Sequence, residues 1–256
     1  MALNISHDTA LFKQLLALGD QSLILGHRLS EWCGHGPILE QDIALTNISL
    51  DLIGQCRTYY AAAAELEGEG RTEDDLAYFR TEREFNNPQL VELPNGDFAQ
   101  TLVRQFLFDA FHVEWLAAAQ HSPNSLIAER AVKALKEVNY HVRFSSDWML
   151  RMGDGTEESH RRAQQALDYL WPYAGELFIP TESEAELAGA GVTPDVTKLK
   201  APWLLRVKSV LEEATLSIPE NEHVYKGGKW GMHTEHLGYV LAEMQSLART
   251  YPDAKW

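Results

Sequence analysis

Several histidines of this chain follow an acidic residue by three or four positions, a spacing that places both side chains on one face of a helix. In helical bundles that activate oxygen at two metal ions, inward-facing Glu-x-x-His motifs supply carboxylate and imidazole ligands. The segment KEVNYH (136–141) approaches this motif, but Val138 stands three positions before His141, and the nearest carboxylate is Glu137. The segment therefore indicates either a variant metal helix or a helix that has lost a ligand.

An acidic residue stands three positions before a histidine in three places: Asp109–His112, Glu157–His160 and Glu220–His223. Ten histidines and 37 acidic residues in 256 positions produce one or two such pairs by chance, so three are not an excess. The second and third pairs have polar neighbours, which indicates solvated surface. The first pair interrupts an apolar helix, where it predicts either metal ligands or a hydrogen bond that fixes the imidazole ring.

A few other polar residues also interrupt apolar helical segments. A buried carboxylate needs a cation, a proton or several hydrogen bonds, so such side chains must meet one another, a metal or water. A two-metal site needs a second helix with its own histidine, and residues 39–66 contain none. We therefore predict no metal ligand, and a buried polar network in place of metals, made of Asp20, Asn47, Asp51, Gln55, Asp109, His112, Glu137 and His141.

The elements that carry these residues are predicted to be helices, because apolar residues recur every three to four positions and strand-like alternation is nearly absent. We predict an all-α fold in one domain over 1–256, with an antiparallel four-helix bundle at about 8–153 and additional helices at about 156–250. Helix caps are predicted at Asp97, Thr156 and Thr181. The predicted helices cover about 8–32, 39–66, 73–84, 98–121, 125–152, 157–171, a short segment after 181, 198–216 and 233–250. The second and third long helices are apolar nearly all round, which is typical of helices that are central or covered by another subunit.

Composition limits the partners of the chain. With 22 Lys and Arg against 37 Asp and Glu, the net charge is −15, which disfavours nucleic-acid binding. Cys33 and Cys56 are too few for a disulfide scaffold or a thiolate metal site, and they indicate a reducing compartment. The N-terminal sequence has no export-signal pattern, and no apolar run approaches the ~20 residues that span a bilayer. We expect a cytoplasmic protein.

Four sequence blocks, in the right order, carry a resemblance to a known family. The chain resembles the PaaC family of phenylacetate degradation, the structural subunits of bacterial phenylacetyl-CoA epoxidase, also called phenylacetate-CoA 1,2-monooxygenase. The resemblance spans essentially the whole chain. The blocks begin at GDQSLILGHRLSEWCGHG, LVELPNGDFAQTLVRQ, KEVNYHVRFSSDWML and KGGKWGMHTEHLGYV and cover 19–57, 90–113, 136–156 and 226–245.

The resemblance implies a ferritin-like bundle that is not itself catalytic and that pairs with a homologous subunit bearing a di-iron centre. It also implies further epoxidase components, including an NADPH-dependent reductase, and no cofactor bound by this chain. In the catalytic sister subunit the helix comparable to 136–141 reads Lys-Glu-Glu-x-x-His, and Val138 falls at its ligand glutamate while His141 is kept. The other Glu-x-x-His falls on Ile53 and Cys56, so both positions fit a degenerate site that has lost its metal.

The segment KGGKWGMHTEH (226–236) allows three interpretations. Lys226, Lys229 and His233 with backbone amides suit an anion, such as the phosphates of coenzyme A near a subunit boundary. In the second interpretation, the Trp230 side chain anchors this loop on the catalytic partner. An ordinary loop that leads into the last helix is the third interpretation.

Two rival functions stay open beside the structural subunit. One is an independent di-metal oxygenase that uses Asp51, Asp109, His112, Glu137 and His141. The other is a ferritin-like interaction protein without an oxygenase partner. Turnover by the lone chain would favour the first, and failure to co-purify with a di-iron subunit would favour the second.

Overall fold

A computed structural model describes residues 5–254, which fold into α-helices and 3-10 turns without a β-strand. Helices make up 74% of the described residues, so the predicted all-α class is confirmed, consistent with a ferritin-like helical bundle. Within the described part of the chain, 3-10 turns cover Glu82–Glu84, Gly175–Phe178 and Gly228–Trp230. The α-helices are, in chain order, α1 (Ile5–Ser30), α2 (Leu39–Glu67), α3 (Glu73–Tyr78), α4 (Gln89–Glu92), α5 (Phe98–Ala119), α6 (Ser125–Gly153), α7 (Glu157–Ala174), α8 (Glu182–Gly189), α9 (Val196–Glu213) and α10 (Glu235–Thr250).

The chain divides into two compact units. The first unit comprises Met1–Leu93 and Gly227–Trp256, so it contains α1 to α4 and α10. The second unit, Pro94–Lys226, contains α5 to α9 and is inserted between the two segments of the first. This division does not test whether the two units form one domain, so the single domain over 1–256 stays a prediction.

In the first unit, α1 and α2 form a close antiparallel pair. A Cβ on Gly19 of α1 would lie 2.3 Å from Cε1 of Tyr60, near the end of α2. Towards the other end of α1, the Ser49 hydroxyl donates to the carbonyl of Gly26 at 2.7 Å. The two glycines let the helices approach each other, because any side chain there would push them apart.

In the second unit, α5 is enclosed on every side. Every residue from Thr101 to Val113 is buried, and α5 packs against α6, α7 and α9. From α9, the Trp203 indole nitrogen donates to the carbonyl of Leu107 at 3.0 Å. This burial confirms that α5 is a central helix, whereas α2, of similar composition, leaves an apolar stripe exposed.

The structure confirms the three predicted caps. They were predictable because each depends on a side chain within three residues of the helix start. Asp97 accepts from the amide of Gln100, Thr156 caps α7, and Thr181 forms a capping box with Glu184. The predicted helix at 73–84 is shorter, because a second box at Thr81 starts a separate 3-10 turn. No described helix is long and apolar enough to cross a membrane. Residues 1–4, to which the export-signal prediction also applies, lie outside the described residues.

Candidate functional site

A carboxylate is buried in the middle of the second unit. Asp109 on α5 is completely inaccessible to solvent. Its two oxygens accept hydrogen bonds from the Gln105 amide at 2.6 Å and from the Ser145 hydroxyl of α6 at 2.8 Å. The carbonyl of His141, one turn earlier on α6, lies 3.0 Å from the same hydroxyl and shares its single hydrogen with Asp109. The cluster therefore joins α5 to α6 through an acid that has two neutral donors.

Burial shifts the charge states of this cluster towards neutrality. Desolvation raises the pKa of Asp109 from 3.8 to about 7, against the opposing effects of His141, Ser145 and Gln105. Desolvation, with a further contribution from His141, lowers the pKa of His112 from 6.5 to about 3. His112 is therefore a neutral imidazole at physiological pH, whereas the pKa of Asp109 lies close to physiological pH.

The hydrogen bond predicted between Asp109 and His112 is not formed. Neither ring nitrogen of His112 has a hydrogen-bond partner among the described residues. The ring lies instead against Phe108, with the two centroids 5.2 Å apart. Their shared helix face was recognised correctly, but the carboxylate turns to Gln105 and Ser145.

The metal-ligating side chains of the described residues do not fit a two-metal centre. Nowhere in residues 5–254 do three or more His, Cys, Asp or Glu side chains form a group that could hold a metal ion. On α6, Val138 is completely buried at the position that the resemblance assigns to a ligand. On α2, Ile53 is half-buried and packs near Gly26, and the thiol of Cys56 has a pKa raised chiefly by burial. Valine and isoleucine offer no lone pair to a cation, so neither Val138 nor Ile53 can act as a metal ligand.

A Val138→Glu variant is expected not to acquire a di-iron site, because it adds one ligand to α6 and leaves Ile53 and Cys56 on α2 unchanged. Iron content and the visible absorption spectrum after anaerobic loading with Fe(II) provide the measurement. Val138→Gln is the matched control, since it has the same shape without the charge. Two irons bound by the glutamate variant alone would contradict this expectation.

A second buried polar cluster lies in the first unit, around Asp20 of α1. Asp20 accepts from the Tyr60 hydroxyl, from the backbone amide of Asn86 at 2.7 Å and from the guanidinium of Arg80. Asp20 is fully buried and Arg80 nearly so. The charge of Arg80 is therefore neutralised inside the protein, and Asp20 joins α1 to α2 and to the segment after α3.

The structure corrects several members of the predicted network. Asn47 is exposed on α2, so its predicted burial is wrong. Asp51 and Glu137 are half-buried, while Gln55 is buried. Helical periodicity placed Asn47 with Asp51 on one face, but that face is open to solvent at Asn47.

A third cluster fixes the start of α10 to α4. The carboxylate of Glu92 is completely buried, accepts from Asn87 and from the amide of Thr234, and lies 2.7 Å from Nδ1 of His233. The side chain of Arg28 donates to the backbone carbonyl of Glu92. This cluster holds the 226–236 segment in place.

The residues of that segment that are predicted to contact a phosphate or a partner divide into a buried group and an exposed group. The side chain of His233 is enclosed and Lys229 is buried, so an anion in solution does not reach them, and their predicted phosphate or partner contact is corrected. Lys226 and Trp230 are exposed. Thr234 caps α10, as the loop interpretation expected.

Sequence reasoning missed Tyr60, Arg80 and Glu92, although each belongs to a buried polar cluster. The available signal was the isolated charge in an apolar run: Arg80 follows LAYF and Glu92 stands within QLVEL. Such a charge inside an apolar run predicts a buried partner, but the partner lies far away in the sequence.

Comparison with known proteins supplies a relationship that spans the chain. Residues 2–256 match the family model described as phenylacetic acid catabolic protein. The chain is 48% identical over 241 residues to a protein of Escherichia coli (strain K12) that is named as one of the subunits of 1,2-phenylacetyl-CoA epoxidase. That alignment covers 94% of this chain and 97% of the relative.

Proposed function

This chain belongs to the phenylacetic acid catabolic protein family, and from that premise we propose that it is the structural subunit of a multicomponent phenylacetyl-CoA epoxidase. The observation that carries the proposal is the 48% identity to the E. coli epoxidase protein over 94% of the chain. An identity of this size over a whole chain leaves little room for a different architecture. The assembly would act in aerobic phenylacetate degradation, in the cytoplasm.

The side chains at the positions of the expected metal ligands support a role without catalysis. In this proposal the chain binds no cofactor and contributes no catalytic residue, and the di-iron centre belongs to a homologous partner. Val138 on α6 and Ile53 on α2 place hydrocarbon where an iron site needs carboxylates. The buried carboxyl groups of Asp109 and Asp20 already have hydrogen-bond partners within the chain, and Asp20 is also paired with Arg80, which supports a role without metal binding.

An apolar face on α2 supports the presence of a partner. Leu39, Ile43 and Leu50 are 71%, 50% and 61% exposed, and their spacing places them within a narrow arc of the helix. Large apolar side chains grouped in this way on a monomer mark an interaction surface. We assign this α2 face to the homologous di-iron subunit, because the relative is named as one component of a multi-subunit enzyme.

The remaining components would meet the assembly elsewhere. An NADPH-dependent reductase would supply electrons to the partner's iron centre. Phenylacetyl-CoA would bind at the subunit boundary, where exposed Lys226 and Trp230 are the residues of this chain suited to its phosphates or to the partner. The net charge of −15 disfavours nucleic acid as a further partner.

Co-expression with the candidate di-iron subunit tests the proposal. We expect a stable complex by size measurement, iron in the partner only, and epoxidation of phenylacetyl-CoA after addition of the reductase. The isolated chain should hold no stoichiometric iron and should not oxidise the substrate. Two irons per chain after anaerobic loading, or turnover by the lone chain, would overturn the structural role.

Replacing both Leu39 and Leu50 by aspartate is expected to lower the affinity for the di-iron subunit at least about tenfold, because charges would replace apolar contacts. The thermal midpoint of the isolated chain should stay the same, since both side chains are exposed. Leu205→Asp is the matched control, because Leu205 is 73% exposed on α9. Equal binding by all three proteins would remove the α2 face from the interface.

A further inference from the structure

The loop of residues 227–234 is held by the segment before and within α4. The Gln89 side chain donates to the carbonyl of Met232 at 2.8 Å. Gly231 has a φ of +74°, and a Cβ there would lie 2.4 Å from the carbonyl oxygen of Arg83. The loop turns back on itself, with the amides of Trp230 and Met232 bonded to the carbonyl of Gly227. It presents the exposed side chains of Trp230 and Met232 to solvent.

We infer that His233 is held as an imidazolium and that the loss of its proton at alkaline pH releases the 227–234 loop. The reason is the chemistry of its two partners. Nδ1 lies 2.7 Å from Oε2 of Glu92, and Nε2 lies 2.9 Å from the carbonyl oxygen of Phe85. A backbone carbonyl only accepts, so Nε2 must carry a proton.

The second proton follows from the other bonds of Glu92. Its Oε1 accepts from the Thr234 amide at 2.6 Å, and its Oε2 accepts from the Asn87 side-chain amide at 2.9 Å. Both oxygens are already acceptors, which suits an ionised carboxylate. Nδ1 of His233 therefore donates as well, and a ring with two N–H donors is positively charged.

The charged groups around the ring agree with this state. Burial lowers the pKa of His233, but the hydrogen bond and charge of Glu92, the Phe85 carbonyl and the charge of Asp20 together raise it above 6.5. Arg28 of α1 approaches the cluster through the backbone carbonyls of Glu92 and His236. Asp20 is itself paired with Arg80, so Glu92 is the carboxylate that directly neutralises the ring.

Deprotonation would leave one of two buried acceptors without its donor. A neutral imidazole has one N–H, so either the Phe85 carbonyl or the Glu92 carboxylate would face a bare nitrogen. Because the folded pKa is raised, the stabilisation is complete below the unfolded value of about 6.5 and is lost as pH rises through the folded value. The loop and the Trp230 side chain would then become mobile.

Nuclear magnetic resonance of the full chain with nitrogen-15-labelled histidine tests the protonation state. At pH 6.5 we expect both ring nitrogens of His233 to show imidazolium shifts, with a titration midpoint above 6.5. His233→Gln identifies the signal by its absence. A neutral tautomer at pH 6.5, or a midpoint below it, would overturn the inference.

Amide hydrogen exchange across residues 228–232 tests the release. After correction for the intrinsic rate, we expect protection to fall at least about tenfold between pH 6 and pH 9. His233→Gln should show low protection at both values, whereas His160→Gln, which removes a ring with a single backbone partner, should behave like the parent. Equal protection of the parent chain at both pH values would refute the release. These measurements use the chain alone, so their outcome is separate from that of partner binding.

Discussion

Replacing Asp20 by asparagine is expected to lower the free energy of unfolding by about 3–5 kcal/mol, the cost of leaving a buried charge without its partner. Asp20 is fully buried and accepts from Tyr60, Arg80 and the amide of Asn86. Asparagine would keep part of this bonding but would leave the buried guanidinium of Arg80 without its counter-charge. Urea denaturation followed by circular dichroism measures the loss.

Tyr60→Phe separates the charge effect from ordinary hydrogen bonding. That variant removes the hydroxyl that donates to Asp20 and keeps the ion pair with Arg80. We expect it to cost about 1–2 kcal/mol, as for a single buried hydrogen bond. A loss in the asparagine variant no greater than in the phenylalanine variant would show that Arg80 finds another way to stabilise its charge.

Replacing Asp109 by asparagine is expected to make the chain more stable at alkaline pH than the parent. Burial raises the pKa of Asp109 from 3.8 to about 7, so the folded state resists ionisation more than the unfolded state does. The parent therefore loses stability as pH rises from about 4 to 7. Asparagine is neutral throughout and keeps an acceptor for Ser145 or Gln105.

The measurable quantity is the difference in unfolding free energy between the asparagine variant and the parent. Since one pKa unit corresponds to about 1.4 kcal/mol, this difference should grow by about 3 kcal/mol from pH 5 to pH 8. The lowered pKa of His112 acts in the opposite direction, because its stabilisation is lost as pH falls from 6.5 towards 3. That contribution is common to both proteins.

Asp147→Asn is the control for the pH series. Asp147 is exposed on α6, two residues after Ser145. We expect its difference from the parent to stay constant between pH 5 and pH 8. A constant difference for the Asp109 variant as well would show that the buried carboxyl ionises as easily as an exposed one.

The fold was predictable where the determinants are local. The caps at Asp97, Thr156 and Thr181 act within three residues, and the apolar character of α5 already indicated a helix enclosed on all sides. Periodicity could not distinguish α5 from α2, because apolar residues also cover surfaces that bind a partner.

The polar clusters were predictable only in part. The composition of α5 identified Asp109 and His112 as buried, but the choice of Ser145 over His112 as a partner depends on how α5 meets α6. Asp20 lies 60 residues from Arg80, and Glu92 lies 141 residues from His233. No spacing rule within a helix connects residues so far apart.

The insertion of the second unit between two segments of the first has a consequence for synthesis on the ribosome. Residues 94–226 can complete their contacts as they emerge, and α1 can pair with α2 before that, whereas the contacts of α1, α3 and α4 with α10 form only after the last helix has been synthesised. Until His233 has been translated, the Glu92 carboxylate lacks its histidine partner in the nascent chain. The last contacts of the first unit therefore form after the whole second unit has been translated.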